Sequence, residues 1–387
     1  MSDASTRYTA GVKLHIQLHI PPWPFGNCHA PPPRAPVPVP RGDSYWDIVT
    51  VDRVAFALDN PPVETEPPSD PENFTFTITG TKTTRRFGYS YDDDQDHGGP
   101  HVVTGYLDSD DEFVYVAKIY DGVDFPLVNG DDWDCMLLAD RDYSIEAWAY
   151  TAMYQTPTVG GKIVPTHYGA WTFPLETDQP GRRRWVRMLL LELIPGETML
   201  AKIKRATAQD GSIQYSLLPP EEFRLRVLKN VLEAESSIFW DAELLHGDLE
   251  ARNVMVKDDG SVVIINFNQA FMFKYGGREG DHPKRRGDPT LPESPIDRFW
   301  RRSLGMPEWD RWIPESWLNN KDLITEWFLE TWAGADSLGK YRPLSDSFLN
   351  DLTHKERSRK VLAALEKLGR KPATERRAAD PAQKSAK

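Results

Sequence analysis

Residues 245–268 read Leu-His-Gly-Asp-Leu-Glu-Ala-Arg-Asn-Val-Met-Val-Lys-Asp-Asp-Gly-Ser-Val-Val-Ile-Ile-Asn-Phe-Asn. Two short runs rich in β-branched residues, at 254–256 and 262–265, are separated by a polar turn that contains Gly260. A glycine in such a turn supplies the positive φ angle that a tight hairpin needs. The stretch therefore predicts a polar loop at 246–253 that is followed by a single β-hairpin.

The order of polar residues in this stretch resembles the catalytic centre of the protein-kinase-like superfamily. The His-Gly-Asp sequence at 246–248 is closer to that of its small-molecule kinases, such as aminoglycoside and choline kinases. The resemblance implies that Asp248 accepts the proton of a substrate hydroxyl and that Asn253 binds a metal ion. It also implies that ATP and Mg²⁺ are the cofactors.

One position of the resemblance departs from the family. The chain has Asn266-Phe267-Asn268 where the family has Asp-Phe-Gly after the hairpin. By its position Asn266 is the second metal ligand, but a neutral amide lacks the carboxylate charge that a hard divalent cation prefers. We therefore expect a weakened metal site.

The resemblance extends to a second part of the chain. Residues 115–120 resemble the Val-Ala-Ile-Lys strand of the family, which makes Lys118 the residue expected to bind the nucleotide phosphates. Glu146, in a predicted helix, stands where the family has the glutamate that pairs with this lysine, and the alternative is an exposed helical glutamate. Glu192 and Ile194 fall where the family binds adenine through its backbone.

Five segments with strand-like composition and spacing predict an antiparallel sheet before this stretch, and helical periodicity predominates after the sheet. The strands are expected at 74–81, 101–107, 113–120, 162–171 and 184–193. With the resemblance, they predict an α+β, two-lobed protein-kinase-like fold with a small antiparallel β N-lobe and a larger, mainly helical C-lobe.

The chain is expected to divide into four regions. These are a Pro-rich N-terminal arm and extension at 1–72, the β-rich N-lobe with acidic insertions at 73–196, the helical C-lobe with the catalytic loop at 197–350, and a terminal helix with a basic disordered tail at 351–387.

The N-terminal arm has nine prolines between residues 21 and 40. Proline lacks the N–H group that helices and central strands need, so an extended arm is expected. Trp23 and Phe25 favour an arm that packs on its own protein. The alternative is a protein partner that binds proline-rich ligands.

Composition limits the kind of protein. A hydrophobic content of 40% with 13 Trp indicates a globular chain, and no apolar run is long enough for a membrane span. Two cysteines and no apolar leader indicate a reduced, cytoplasmic setting. The net charge of −12 argues against a nucleic-acid partner. Residues 90–134 hold 13 acids against Lys118, which indicates a solvated loop or a small cationic substrate.

Three functions remain open on these residues. The first is an ATP-dependent phosphotransferase that acts on a small metabolite and is weakened by Asn266. The second is a pseudokinase that serves as a binding or scaffold protein, which Asn266 and the lack of a Gly-rich phosphate loop both favour. The third is another group transfer, nucleotidyl or aminoacyl, in a biosynthetic pathway. The chain also resembles divergent kinase-like proteins of filamentous fungi, some of which are encoded near secondary-metabolite genes.

Overall fold

The chain folds as a mixed α+β protein with two compact units. The computed structural model describes residues 7–38, 51–69, 72–83, 99–126, 133–208, 210–211 and 213–276, with shorter segments between 282 and 367. The first unit comprises Met1–Pro195, Leu244–Asp248 and Ile265–Gly277, and the second comprises Gly196–Glu243, Leu249–Ile264 and Arg278–Lys387.

A closed antiparallel barrel of six strands is the main element of the first unit. Its strands are β1 (Lys13–Leu18), β2 (Asn73–Thr83), β3 (His101–Leu107), β4 (Asp110–Tyr120), β5 (His167–Glu176) and β6 (Arg183–Glu192). Around the barrel they follow one another in the order β1-β2-β3-β4-β6-β5.

Strand β1 closes the barrel because it pairs with a strand on each side. Leu14 lies opposite Phe76 of β2, and Leu18 lies opposite Trp171 of β5. The alternation of apolar and polar residues along β1 buries Leu14 and Ile16. Since every strand of the barrel has two partners, the sheet has no open edge.

The prediction of a two-lobed, protein-kinase-like fold is wrong. We expected an antiparallel sheet of five strands, whereas residues 13–18 add a sixth strand and close the sheet into a barrel. The described part of the chain contains only seven α-helices, shared between both units. The alternation of residues 13–18 is visible in the sequence, but alternation does not specify which strands a segment pairs with.

Apolar side chains from all six strands fill the barrel core. Removal of apolar surface from water stabilises such a core by about 25 cal/mol per Å². The buried side chains include Leu14, Ile16, Phe76, Ile78, Val103, Ala117, Ile119, Phe173 and Met188.

A buried ion network joins the start of the described chain to the barrel. The Asp121 carboxylate accepts hydrogen bonds from Arg184, from Arg7 Nη1 at 2.8 Å and from the Tyr8 hydroxyl at 2.7 Å. Burial alone would raise the pKa of the Asp121 carboxyl, but the Arg184 and Arg7 guanidinium groups lower it far below its usual range. Asp121 therefore stays ionised, as a buried carboxylate with two cationic partners does.

Two helices complete the first unit: α1 (Arg53–Asp59) and α2 (Cys135–Tyr154). The Asp134 carboxylate caps α2 by accepting the N–H groups of residues 136 and 137. Helix α2 packs against β4, β5 and β6, and most of its side chains are buried. It therefore lacks the one-sided apolar pattern of a surface helix.

The second unit holds the predicted hairpin and five helices. The hairpin pairs β9 (Val254–Val256) with β10 (Val262–Ile264), and Gly260 has the expected positive φ of 83°. This prediction is confirmed. The other elements are β7 (Glu197–Thr198), α3 (Met199–Ala206), α4 (Glu221–Asp241), α5 (Pro295–Phe299), α6 (Lys321–Trp332) and α7 (Asp346–Thr353). None of the described helices is both long and apolar enough to cross a lipid bilayer.

A short pair of strands belongs to the first unit. Strand β8 (Leu244–Leu245) pairs antiparallel with β11 (Phe271–Met272). The chain between these two strands contains both the 246–248 loop and Asn266. Residues 368–387 of the predicted basic tail lie outside the described residues.

Candidate functional site

Lys118 of β4 lies in the interior of the first unit and is 6% exposed. Its ammonium group donates a hydrogen bond to the Glu146 carboxylate on α2 and a second, of 2.9 Å, to Asn266 Oδ1. An ammonium has three N–H donors, and within the described part of the chain two of them have these partners. The structure thus brings together three of the residues that the sequence indicated for the site.

Glu146 is fully buried and has partners for both carboxylate oxygens. Oε2 accepts hydrogen bonds from Lys118 and from the Tyr120 hydroxyl, while Oε1 accepts from the Phe267 N–H at 3.1 Å. Burial, and then the Glu146 charge, raises the pKa of Tyr120 well above its usual value, so its phenol keeps the proton that it donates. A buried carboxylate needs such pairing because its desolvation is costly.

Helix α2 fixes the conformation of residues 266–268. Asn266 has a φ of 70°, a region that asparagine adopts more readily than most residues do. The next residue donates its N–H to Glu146, and Asn268 Nδ2 donates to Asp142 Oδ2 at 3.0 Å. Asp142 and Glu146 are four residues apart and so lie on the same face of α2. Asn266 is therefore held against Lys118 by the contacts of the two residues that follow it.

His246 connects the loop that carries Asp248 to the Asn266 segment. Its Nε2 lies 3.0 Å from the Ile265 carbonyl oxygen, and its Nδ1 accepts the Asp248 N–H at 3.1 Å. These partners assign the imidazole as the tautomer with its proton on Nε2. The ring also packs on Phe267, with centroids 4.6 Å apart. Asp248, which is partly exposed, is thereby tied to the residue before Asn266.

Glu192 and Ile194, the residues predicted to contact adenine, lie in the first unit at and after the end of β6. The Glu192 carboxylate accepts hydrogen bonds from the Thr166 N–H at 3.0 Å and the Thr166 hydroxyl at 2.9 Å. The Glu192 N–H donates to the Thr166 carbonyl at 2.9 Å, and the Ile194 side chain is buried. These groups of Glu192 therefore serve the protein's own structure.

Asn253, the predicted metal ligand of the loop, belongs to the second unit. It ends the 3-10 turn Ala251–Asn253, its side chain is buried, and its N–H donates to the Glu250 carbonyl at 2.8 Å. Among the described residues, no group of three or more His, Cys, Asp or Glu side chains is arranged to hold a metal ion. Asn266 remains the predicted metal-contacting residue of the first unit, and its amide oxygen faces Lys118.

The acidic run divides into two groups where the structure describes it: Asp108, Asp110, Asp111 and Glu112 are exposed, whereas three other acids form internal ion pairs. Asp121 pairs with Arg184 and Arg7, Asp124 pairs with Arg7 and His101, and Asp134 pairs with Arg34 while it caps α2. Residues 84–98 and 127–132, which carry other acids of the run, lie outside the described residues.

Several polar groups around Lys118 were not identified from the sequence. Tyr120 is two residues from Lys118 and so shares its strand face, while Asp142 is one helical turn from Glu146. These spacings could have identified both residues. No spacing of this kind identifies His167. Its Nε2 is buried without a partner in the described part of the chain, and burial lowers its pKa to about 4.

No model of a known protein family matches the chain, and no curated protein is significantly similar to it. Together with the closed barrel, this finding contradicts the resemblance to the protein-kinase-like superfamily. The short motifs at 115–120 and 246–268 therefore do not establish membership of that superfamily. Any function must be argued from the chemistry of the side chains.

Proposed function

We propose that the protein is an ATP-dependent phosphotransferase that acts on a small metabolite. The observation that carries this proposal is the contact of Lys118 with Glu146 and Asn266. A carboxylate that fixes a buried lysine in one position prepares its ammonium group to bind a phosphate oxygen. The proposal rests on this local chemistry and assumes no family relationship.

Asp248 supplies the second group that phosphoryl transfer requires. It is a partly exposed carboxylate whose backbone is held by His246. A carboxylate in such a position can orient a hydroxyl and accept its proton as the phosphoryl group arrives. The proposed substrate is therefore a small molecule with a hydroxyl group, either neutral or cationic.

Magnesium is part of the proposal, with Asn266 of the first unit as the residue that would contact it. Amide oxygens bind hard cations less strongly than carboxylates do, so most ligands would come from the nucleotide phosphates and water. Weak neutralisation of the phosphates slows transfer, because the reaction depends on stabilising developing charge. We propose a slow enzyme for this reason.

A second function is favoured by the same amide. The Lys118 ammonium donates a hydrogen bond to the neutral amide of Asn266. A site with an amide in place of a carboxylate can bind a nucleotide without transferring its phosphate. The protein would then be a nucleotide-binding module that regulates or assembles with another molecule. For either function we propose a reducing, cytoplasmic setting, which suits the two free thiols at Cys28 and Cys135.

The decisive experiment follows label from ATP into product. The protein is incubated with Mg²⁺ and a panel of small alcohols and amines, once with γ-labelled and once with α-labelled ATP. The phosphotransferase proposal predicts that γ-label appears in a product. It also predicts that Asp248→Asn lowers the rate about 100-fold, as expected for loss of a general base. The matched control is Asp258→Asn in the exposed hairpin turn, which should keep the wild-type rate.

The other outcomes separate the alternatives. Transfer of α-label would show nucleotidyl transfer in place of phosphotransfer. ATP binding with no labelled product would support the nucleotide-binding module. A wild-type protein that neither binds ATP nor transfers label would contradict both proposals.

A further inference from the structure

The N-terminal arm contains three consecutive residues with positive φ angles: Gly26 at 69°, Asn27 at 47° and Cys28 at 69°. A non-glycine residue in this region costs about 1–2 kcal/mol, so such a run persists only where other contacts hold it. Together with His29, these residues form what we call the N-terminal clamp, residues 26–29. The backbone turn directs two side chains of the clamp onto the segment that follows Asn268.

Two side-chain hydrogen bonds join the clamp to this segment. Asn27 Nδ2 donates to Gln269 Oε1 at 2.9 Å, and His29 Nε2 accepts the Met272 N–H at 3.1 Å. The other ring nitrogen, Nδ1, lies 3.0 Å from the Gly26 carbonyl oxygen, and the ring stacks on Phe271 with centroids 5.3 Å apart. His29 must therefore be neutral with its proton on Nδ1.

The clamped segment is in close contact with the loop that carries Asp248. The Gln269 carbonyl lies so near Gly247 that a Cβ at position 247 would be 2.0 Å from its oxygen. Phe271 and Met272 form β11, which pairs with β8 immediately before the 246–248 loop. A shift of residues 269–272 would therefore be transmitted to the loop on two sides.

The clamp itself is closely packed against residue 276 on one side and against Trp133 on another. A Cβ at Gly276 would lie 2.4 Å from the Cys28 carbonyl oxygen, and a Cβ at Gly26 would lie 2.6 Å from the Trp133 ring. Such close contacts leave little room for the clamp to move while residues 269–276 stay in place. The clamp and the segment thus form one packed element within the first unit.

We infer that Asn27 and His29 are positioning residues that hold Asp248 in place by fixing residues 269–272. As a statement about catalysis, this inference rests on the proposed function, in which Asp248 is the general base. As a statement about structure, it requires only that removal of the two clamp side chains loosens residues 244–248. The two statements can be measured separately.

The test uses the full-length protein with two substitutions that keep the backbone. Asn27→Gly tolerates the positive φ angle and removes the side chain, while His29→Phe keeps a ring on Phe271 and removes both hydrogen bonds. Asn27→Asp is the conservative variant, because aspartate tolerates the same φ and Gln269 can rotate its amide to donate to it. The matched control is His15→Ala, at an exposed histidine of β1.

Hydrogen exchange reports on the structural statement. Asn27→Gly, which loses one hydrogen bond, and His29→Phe, which loses two, should each speed exchange of the amides in 244–248 and 269–272 about fivefold or more. Asn27→Asp and His15→Ala should leave this exchange within about twofold of wild type. Unchanged exchange in both loss variants would overturn the inference, whether or not the protein proves to be a phosphotransferase.

Turnover reports on the catalytic statement. A base displaced from its position should lower kcat about tenfold or more in the two loss variants, with the KM for ATP nearly unchanged, because the proposed phosphate contact is made by Lys118. Asn27→Asp should restore kcat. Unchanged kcat in loosened variants would overturn the positioning role. If the wild-type chain has no activity, the proposed function fails, and hydrogen exchange alone decides whether the clamp holds the loop.

Discussion

Gly247 lies against Gln269 at a distance that leaves no space for a side chain. The Gly247 φ is 79°, and a Cβ there would be 2.0 Å from the Gln269 carbonyl oxygen. Two independent constraints, the backbone angle and the contact, therefore require glycine between His246 and Asp248. This is the physical reason for the His-Gly-Asp sequence, and it holds whatever reaction the loop performs.

Replacing Gly247 by alanine should destabilise the protein by about 3 kcal/mol or more, because it combines positive-φ strain with overlap against backbone. Gly181 is a matched control: its φ is 76°, and a Cβ there would have no atom within 4 Å. Gly181→Ala should therefore cost only about 1–2 kcal/mol, from the backbone term alone. Urea unfolding measures both values, and equal destabilisation would show that the Gln269 contact is unimportant.

The Lys118 and Glu146 side chains should be strongly coupled. Breaking a buried ion pair leaves an uncompensated charge, so Lys118→Met and Glu146→Gln should each cost about 3–5 kcal/mol. The double variant should lose about 1–3 kcal/mol less free energy of unfolding than the sum of the two single losses. The exposed Arg183 and Glu176 pair of the same barrel serves as the control, with an expected coupling under about 1 kcal/mol. Additive effects at Lys118 and Glu146 would contradict the pairing.

Asn266→Asp should strengthen the dependence of ATP binding on Mg²⁺. Aspartate tolerates the positive φ of this position, and its carboxylate is a better ligand for a hard cation. We expect ATP affinity in the presence of Mg²⁺ to rise about tenfold, with little change in its absence. Asn268→Asp is a contrasting variant, because it would place a second carboxylate against Asp142 and destabilise the protein. A Mg²⁺-independent gain for Asn266→Asp would contradict the proposed metal contact.

Asp140 should make stability fall as pH rises. Burial raises the pKa of this carboxyl from the usual aspartate value near 4 to about 6, while its Oδ2 accepts the Val63 N–H at 2.6 Å. The folded state therefore keeps the proton more tightly than the unfolded state does. The stabilisation is complete below about pH 4 and is lost as the pH passes 6.

Asp140→Asn removes this titration. Urea midpoints of the wild type and the variant, measured from pH 4 to 7, should diverge by an amount equivalent to about 2–3 kcal/mol, with the wild type losing stability at the higher pH. The comparison isolates Asp140 from His19, whose pKa burial lowers to about 3 and whose effect has the opposite sign. If the urea midpoints of the two proteins changed with pH in parallel, the raised pKa of Asp140 would be contradicted.

The sequence identified local elements and missed how they are joined. Gly260 between two β-branched runs was enough for the hairpin, because hairpin geometry is set by neighbouring residues. The role of β1 was missed, since its partners β2 and β5 are distant in the chain. The start of helix α2 at Cys135 is hard to predict from the sequence, because burial of most of its residues hides the helical pattern.

Only part of the candidate site could be predicted from the sequence. Lys118 and Glu146 could be paired because each has a characteristic position on a strand or a helix. The contacts of His246 with Ile265 and of Asn27 with Gln269 could not be predicted, since they depend on how loops pack in three dimensions. Short motifs also misled the assignment of the fold, because a loop and a hairpin do not reveal whether a sheet closes.

The most direct test of the account is a calorimetric titration of the protein with ATP in the presence of Mg²⁺. The central claim is that Lys118, held by Glu146, binds the phosphates of a nucleotide. The wild type should bind ATP, and the Lys118→Met/Glu146→Gln variant, which keeps the buried pair neutral, should bind at least about tenfold more weakly. Equal affinity in the two proteins, or no binding by the wild type, would contradict the claim.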